Sequence, residues 1–369
     1  MIFAINGALF GTWASRIPAI SNIHGLSPAS LGSLIFLMGL SAVVAFSIFG
    51  RAADRFGAAF VTKLASSIFL PLTLIFIAYA NSIWMLIAAI IFFGGIHGGI
   101  DVAMNAWAAE VERKYERPLM SSFHAIWSLG SGIGAGFGVL LATYSLGVKM
   151  HFTISSIVIF LAVLSILTIP FQSEKRQRDK NVPFISIPRG SLLTVAFITF
   201  FASLGEGAIA DWSAIFLISV LSINDGSAAL GFTIFSICMF AMRLMGDRIS
   251  FKYGPSKTAR YSGLVALIGS IILLTFESFF PLLIGFGLIG LGIAVIIPLA
   301  FSRAGNDKNI SQGTAIASIA TLGYGGMLIG PLFIGLIAQA TSIKSSFLIF
   351  PILAFLIFAL SKHLSIKSA

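Results

Sequence analysis

The chain has 369 residues, of which 57% are hydrophobic and only 10% are charged, and its mean hydropathy is +1.01. A soluble domain is about one-quarter charged, because polar side chains must cover its surface. The composition therefore excludes a soluble enzyme, a disordered chain and a disulfide scaffold, and it predicts an all-α integral membrane protein. A net charge of +10 would suggest a nucleic-acid partner in a soluble chain, so the positions of the basic residues matter.

Twelve apolar stretches are long enough to cross a bilayer as helices, each of which needs about 20 residues. They are too long for the strands of a membrane barrel, which have about ten residues. The first stretch has no basic residue before it, and we therefore expect the natural N-terminus to lie upstream of Met1. In chain order the predicted spans are 1–18, 29–49, 61–80, 83–109, 119–146, 149–171, 190–221, 227–246, 257–277, 279–303, 313–341 and 344–362.

Basic residues are concentrated on one side of these spans. Of the 23 lysines and arginines, all but Arg16, Lys149 and Lys344 are assigned to that side, including Arg243 near the end of the predicted eighth span. Cytoplasmic loops carry such an excess, so both termini are predicted in the cytoplasm of a bacterial inner (plasma) membrane protein. The positive charge then indicates topology, and no nucleic-acid partner is expected.

The longest polar stretch, residues 172–189, divides the chain into two halves that resemble each other. Trp13 and Trp212 are 199 residues apart, and at the same offset Leu31-Gly32 corresponds to Leu230-Gly231. Two six-helix repeats around a central cavity are typical of membrane transporters. We therefore predict twelve transmembrane helices in two pseudo-symmetric bundles, 1–171 and 190–369, joined by a cytoplasmic linker over 172–189.

The segment GRAADRFG at 50–57 resembles the G-x-x-x-D-R-x-G signature of the major facilitator superfamily, and the resemblance covers essentially the whole chain. In that family the loop latches the two halves on the cytoplasmic side. This implies a gating role for Gly50, Asp54, Arg55 and Gly57. The closing basic pair of the signature is replaced by Ala58 and Ala59, and a charged turn that only fixes topology is the alternative interpretation.

A narrower resemblance is carried by DVAMNAWAAEVE at 101–112 and RPLMSSFHAIWSLG at 117–130, which are similar to bacterial permeases related to the fucose type. The resemblance implies carboxylates in the first and fourth spans. Asp101 is the counterpart in the fourth span, but the first span offers only Asn6. This departure puts proton symport through that pair in doubt, and Glu206 is the substitute candidate.

Polar groups inside the predicted spans are the candidate binding and proton-coupling residues, because charges at membrane depth cost at least about 2.5 kcal/mol each. His97, Asp101 and Asn105 recur every four residues and share one face of the fourth span. A carboxylate beside an apolar wall, as expected for Glu206, can titrate near neutral pH. The alternative is that the polar residues of the fourth span only pack this helix against its neighbours. The other candidates are Asp211 in the seventh span and His124 and Trp127 in the fifth, whereas Trp13 and Trp212 are expected to anchor the outer interface.

The leading hypothesis is a proton-coupled secondary transporter that moves a small polar solute, with a sugar as the first candidate. No nucleotide-binding motif occurs, and no cofactor or metal is expected; the partners are the solute, protons and lipid, and the chain is expected to be a monomer. Efflux of drugs or other amphipathic compounds is the alternative. Residues 326–331 resemble the G-x-x-x-G-P motif of drug–proton antiporters, but they lie in the eleventh span and not in the fifth, which weakens this alternative. A transport-dead sensor and a hydrolase built from His97, Asp101, His124 and Ser121 or Ser122 are minor alternatives.

Overall fold

A computed structural model describes residues 1–115, 119–171, 173, 188–305 and 312–365. The regular elements within these ranges are all helical, so the all-α prediction is confirmed. A single 3-10 turn, Ser361–Leu364, follows the last α-helix. In chain order the helices are α1 Ile2–Ala14, α2 Ile17–Ile23, α3 Pro28–Phe56, α4 Ala58–Ile68, α5 Leu70–Ala78, α6 Ile83–Tyr115, α7 Met120–Thr143, α8 Val148–Leu167, α9 Ser191–Leu221, α10 Asp225–Ala228, α11 Leu230–Tyr253, α12 Pro255–Thr275, α13 Phe279–Ile293, α14 Ile296–Gly305, α15 Gln312–Ala340, α16 Ile343–Ser346 and α17 Ile349–Leu360.

Eleven helical stretches in the described ranges are long and apolar enough to cross a membrane, and they fall on the second to twelfth predicted spans. The first predicted span, 1–18, holds a shorter apolar helix, α1, which ends at Ala14. After it the chain turns at Arg16, whose side chain is buried. Its Nε donates to His151 Nδ1 at 2.8 Å and a terminal nitrogen donates to the Leu146 carbonyl at 2.9 Å. These bonds satisfy a buried cation just beyond the end of α1.

The segment GRAADRFG, which the sequence places in a loop, is helical in the structure up to Phe56. Nothing in residues 50–56 stops a helix, so α3 continues through Asp54 and Arg55 and ends only at Gly57. Gly57 has φ +98°, a conformation that side chains with a Cβ rarely adopt. The hydroxyl of Ser173 caps the start of α4 by accepting a hydrogen bond from the Ala59 amide at 2.8 Å. Residues 172 and 174–187 of the predicted linker lie outside the described residues.

Replacing Gly57 with alanine should strain this turn. The backbone strain is about 1–3 kcal/mol, and the added Cβ would lie 3.0 Å from the Ser173 Cβ. We expect a lower melting temperature and slower solute uptake. The control is Gly147→Ala, since this glycine has an ordinary φ of −64° and its Cβ would meet nothing within 4 Å; equal effects of the two substitutions would contradict the prediction.

The described chain forms two compact units. Unit 1 comprises Met1–Asp179 and Asn224–Thr233, and unit 2 comprises Lys180–Ile223 and Ile234–Ala369. The short segment Asn224–Thr233 packs with unit 1, where α10 contacts α7. The bundle limits 1–171 and 190–369 remain a prediction.

Glycines bring two helix pairs into backbone contact, one pair in each unit. In unit 1, α1 and α7 pack so closely that a Cβ on Gly7 would lie 2.1 Å from the Trp127 carbonyl oxygen, and one on Gly130 would lie 2.1 Å from the Ala4 carbonyl oxygen. In unit 2, α9 and α15 pack the same way, with a Cβ on Gly326 falling 2.4 Å from the Phe200 carbonyl oxygen. Small residues permit such close approach between membrane helices. We call these two contacts the glycine seams.

The two tryptophans expected at the outer interface lie in the protein interior instead. Trp13 and Trp212 are both 0% exposed, and Trp13 packs against the Phe93 ring with centroids 5.7 Å apart. Both side chains bury a large apolar area in the core of their units. The free energy gained by this burial outweighs the preference of the indole group for a membrane interface. The expectation that they anchor the interface was wrong.

Candidate functional site

Three predicted residues from three helices of unit 1 meet at Asn6. The Trp127 Nε1 of α7 donates to the Asn6 Oδ1 of α1 at 3.0 Å. The His97 imidazole of α6 lies close enough to the Asn6 backbone to interact with it electrostatically. Asn6 can occupy this position because its neighbour Gly7 lets α1 lie directly against the Trp127 backbone. The sequence predicts each of these residues as a candidate, but it does not show that they are neighbours.

Aromatic rings surround this meeting point. Phe10 lies 5.4 Å from the His97 ring and 5.7 Å from the Trp127 ring, and Phe93 stacks on His97 at 5.7 Å with an interplanar angle of 2°. We call Asn6, Phe10, Phe93, His97 and Trp127 the Asn6 cluster. The two phenylalanines were not among the predicted site residues, because apolar aromatics within a span give no signal that separates a site from ordinary packing.

The Asn6 cluster contains polar atoms without partners. Within the described residues, the Asn6 Nδ2 and the His97 Nε2 are buried and make no hydrogen bond. Buried polar atoms are nearly always hydrogen-bonded in proteins, and an unpaired one costs about 1–3 kcal/mol. A water molecule or a polar ligand can supply the partner that each of these atoms lacks.

Asp101 and Asn105 lie further along the same face of α6. The Asn105 Nδ2 donates to the Asp101 Oδ1 at 3.2 Å and to the Asp101 carbonyl at 2.9 Å. Both residues are partly exposed. His124 takes a different position: its ring packs edge-on against Phe3 at 5.6 Å, and it is not part of the Asn6 cluster.

Unit 2 contains an ion pair that the sequence analysis did not identify. A terminal nitrogen of Arg243, on α11, lies 3.3 Å from both carboxylate oxygens of Glu206, on α9. The side chains are only 8% and 14% exposed, respectively. Arg243 was assigned to the basic loops, but it lies inside a helix and faces Glu206. The sequence predicts apolar side chains beside Glu206, but the structure places the Arg243 guanidinium there. The sequence could have indicated this position, because Arg243 falls within the predicted span 227–246.

A helix break lies beside this ion pair. The predicted tenth span, 279–303, is divided into α13 and α14 at Ala294 and Val295. Pro298 explains the break, because a proline has no N–H to donate to the carbonyl four residues earlier, which is that of Ala294. The Arg243 Nε takes this role and donates to the Ala294 carbonyl at 3.4 Å. Gly246 lets α11 approach, since a Cβ there would lie 2.5 Å from Val295.

Asp211 is the remaining predicted carboxylate, and it lies ten residues before the end of α9. It is 4% exposed, and its Oδ1 has no hydrogen-bond partner within the described residues. The structure does not place it with Glu206 on a common partner.

No group of three or more histidine, cysteine or acidic residues in the described ranges is arranged to hold a metal ion.

Replacing Pro298 with alanine restores a backbone N–H and should slow transport without destabilising the fold. In Pro298→Ala the new amide can bond to the Ala294 carbonyl, so α13 and α14 should join and Arg243 should lose an acceptor. We expect an unchanged or higher melting temperature with slower uptake. Pro351→Ala is the matched control, since Pro351 is also the third residue of its helix; an equal loss of uptake in that variant would contradict this assignment.

Comparisons with known proteins agree with this architecture. The profile of the Major Facilitator Superfamily matches residues 1–309. The chain is 38% identical over 359 residues to an uncharacterized transporter, y4wD, of Sinorhizobium fredii, which covers 97% of this chain and 95% of the relative. It is 34% identical to an uncharacterized MFS-type transporter of Yersinia pestis, with 94% and 90% covered. The crystal structure of the nucleoside transporter NupG has the same fold, with a TM-score of 0.73 at 16% identity and 97% of each chain covered.

Proposed function

We propose that this chain, which belongs to the major facilitator superfamily, moves a small polar ring-shaped solute, with sugars as the first class, by alternating access coupled to protons. Its relatives are named as transporters, so the chain is a secondary transporter and not an enzyme, and it is a multi-pass protein of a bacterial inner membrane. The observation that carries the finer proposal is the Asn6 cluster.

The chemistry of the Asn6 cluster suits a hydroxylated ring. The unpaired Asn6 Nδ2 and His97 Nε2 can each exchange a hydrogen bond with a hydroxyl group. Phe10 and Trp127 offer aromatic faces against which the apolar face of a sugar ring can pack. A neutral polyol would thus satisfy buried polar atoms and keep the aromatic contacts, which supports a polar solute over a purely apolar one.

Proton coupling is proposed for Asp101. It is a carboxylate on the same helix face as His97, it is partly exposed, and it accepts a hydrogen bond from the uncharged Asn105. A carboxylate in such a position can change its protonation as the solute site opens to either side. Glu206, His124 and Asp211 remain further candidates for binding or coupling.

Several broader parts of the prediction also belong to the proposal. Both termini face the cytoplasm, the two six-helix bundles comprise 1–171 and 190–369, and the chain acts as a monomer. Asp54 and Arg55 bias alternating access from the helical end of α3, next to the turn at Gly57. The similarity to fucose-type permeases is part of the case for a sugar.

The proposal can be tested with purified protein in weakly buffered proteoliposomes, by recording the external pH as hexoses, nucleosides or amphipathic drugs are added. Alkalinisation triggered by a ring-shaped polar solute, and lost in Asn6→Ala, is the expected result. Proton movement with drugs alone would favour the efflux alternative. If no compound caused proton movement while a polar solute exchanged across the membrane, coupling would be wrong but the solute class would stand.

A further inference from the structure

We propose that unit 2 carries a binding site for an anionic phospholipid, in the groove between the exposed faces of α12 and α17. The phosphate of the headgroup would bind Lys257, Arg260 and Lys362, and the acyl chains would lie along the apolar continuation of the groove. The inference concerns the lipid around the protein. It goes beyond the proposed function and depends on neither the solute nor the coupling proton, so either can fail without the other.

One face of α12 changes from basic to apolar along the helix. Its residues recur at spacings of three and four, which places them on one side of the helix, and all of them are exposed, whereas Thr258, Ala259 and Ser262 are buried. Two cations come first, a tyrosine follows, as is common at a membrane–water interface, and aliphatic residues come last. This order matches the headgroup, interface and acyl chain of a phospholipid. The residues of this face are Lys257, Arg260, Tyr261, Leu264, Ile268 and Ile271.

A second exposed face, on α17, begins at the same end of unit 2. The two helices are in close contact there, because a Cβ on Gly263 would lie 2.8 Å from the Phe358 backbone nitrogen. The 3-10 turn that follows α17 packs against α12 and carries the exposed Lys362. In the other direction along α17, the exposed residues are Phe355 and Ile352. Both faces therefore have their cations at one end and apolar side chains further along.

Arg260 links the two faces and keeps its donors available. Its guanidinium carbon lies 4.9 Å from the centroid of the Phe358 ring, and that ring stacks with the exposed Phe355 ring at 6.4 Å. The cation–π contact positions the guanidinium without using its N–H groups. Within the described residues, the side chains of Arg260, Lys257 and Lys362 make no hydrogen bond or ion pair. The planar array of N–H donors on a guanidinium matches the oxygens of a phosphate.

The charge around the groove favours an anion, and its apolar part favours a lipid. Between Asp225 and Glu277 the sequence has five basic residues and a single acidic one, Asp247. Basic residues close to a membrane attract anionic phospholipids. A soluble phosphate would use the cations alone, whereas a phospholipid would also cover the exposed aliphatic and aromatic side chains. The combination therefore favours an anionic phospholipid over a soluble anion.

Two phospholipids that differ only in the headgroup test this inference. Delipidated full-length protein in detergent would be titrated with dioleoyl phosphatidylglycerol or dioleoyl phosphatidylcholine, and bound lipid would be counted by native mass spectrometry. We expect the wild type to bind the anionic lipid more tightly. The Lys257→Gln/Arg260→Gln variant should bind it about 25-fold more weakly, because each cation near an anionic lipid contributes about fivefold. Its affinity for phosphatidylcholine should not change.

The matched control is Arg248→Gln/Lys252→Gln, which removes one arginine and one lysine from exposed positions of α11. It should keep the affinity for phosphatidylglycerol. Phe358→Leu is a second variant, which leaves the net charge unchanged but removes the ring beneath Arg260, and it should weaken phosphatidylglycerol binding about threefold. An excess of glycerol 3-phosphate, which has the phosphate without acyl chains, should not displace the lipid.

Three results would overturn the inference. Equal affinity of the wild type for the two lipids would show that the groove holds no anionic headgroup. Equal weakening by the α11 and α12 double variants would show that net charge alone attracts the lipid. Displacement by glycerol 3-phosphate would identify a soluble anion as the ligand. Each of these results would leave the proposed transport function in place, because that function is tested by solute and proton movement.

Discussion

Proteoliposomes that carry Asp101→Asn should bring the solute to equal concentrations on both sides, whereas the wild-type protein should accumulate it. With an imposed gradient of one pH unit and one proton per solute, accumulation is limited to about tenfold, and we expect the variant to remain near one. The substitution keeps the shape of the side chain and an oxygen that can accept from Asn105, but it removes the group that would carry the proton. Solute exchange without a gradient should survive.

The control for this experiment is Asp247→Asn, the same chemical change at an exposed position of α11. It should accumulate solute as the wild type does, which separates coupling from a general effect on insertion or yield. Uphill uptake retained by Asp101→Asn would remove Asp101 from the coupling step. Loss of exchange together with accumulation would instead indicate a binding role for Asp101.

Gly130→Ala should destabilise the protein by forcing two packed helices apart. Its Cβ would lie 2.1 Å from the Ala4 carbonyl oxygen and 2.8 Å from the Ala4 Cα, so α1 and α7 would have to separate. Forced overpacking costs about 1–3 kcal/mol. The separation would also lengthen the 3.0 Å bond between Trp127 and Asn6, so uptake should fall as well. We expect a melting temperature lower by about 5 °C.

Gly136→Ala on the same helix provides the comparison. Its Cβ would meet only the Thr233 Cγ2, at 3.6 Å, an ordinary contact. Both substitutions gain the same helix propensity, about 1 kcal/mol. Any difference between their melting temperatures therefore reflects the contact between α1 and α7. Gly136→Ala should melt at the wild-type temperature or above it. Equal melting temperatures for the two variants would show that α1 and α7 can repack at no cost.

The course of the chain through the membrane could be predicted because it depends on composition alone. Long apolar stretches must be helical in a bilayer, where every backbone group needs an internal partner. The ends and breaks of helices depend on single residues and were predicted less well. Gly57 ends α3 seven residues after the predicted span, and Pro298 divides a span that was predicted as continuous, although both residues are visible in the sequence.

The site could be predicted as a set of residues but not as a geometry. Asn6, His97 and Trp127 were each identified because polar or amphipathic groups are unusual within apolar spans. Their convergence is tertiary, since Asn6 and Trp127 are 121 positions apart, and no local pattern encodes it. Arg243 was misassigned for a related reason: a basic residue near the end of a span resembles a topology signal until its partner, Glu206, is known.

The glycine seams suggest how the two halves came to differ in chemistry. Both halves retain a pair of helices in backbone contact, yet the positions that correspond across the repeat differ in chemistry: Asn6 corresponds to Gly205, and Gly7 to Glu206. Backbone contact between helices uses few side chains, so a duplicated scaffold built this way leaves its other positions open to mutation. One descendant could then acquire an amide among aromatic rings and the other an ion pair beside a broken helix, without disturbing the inherited architecture.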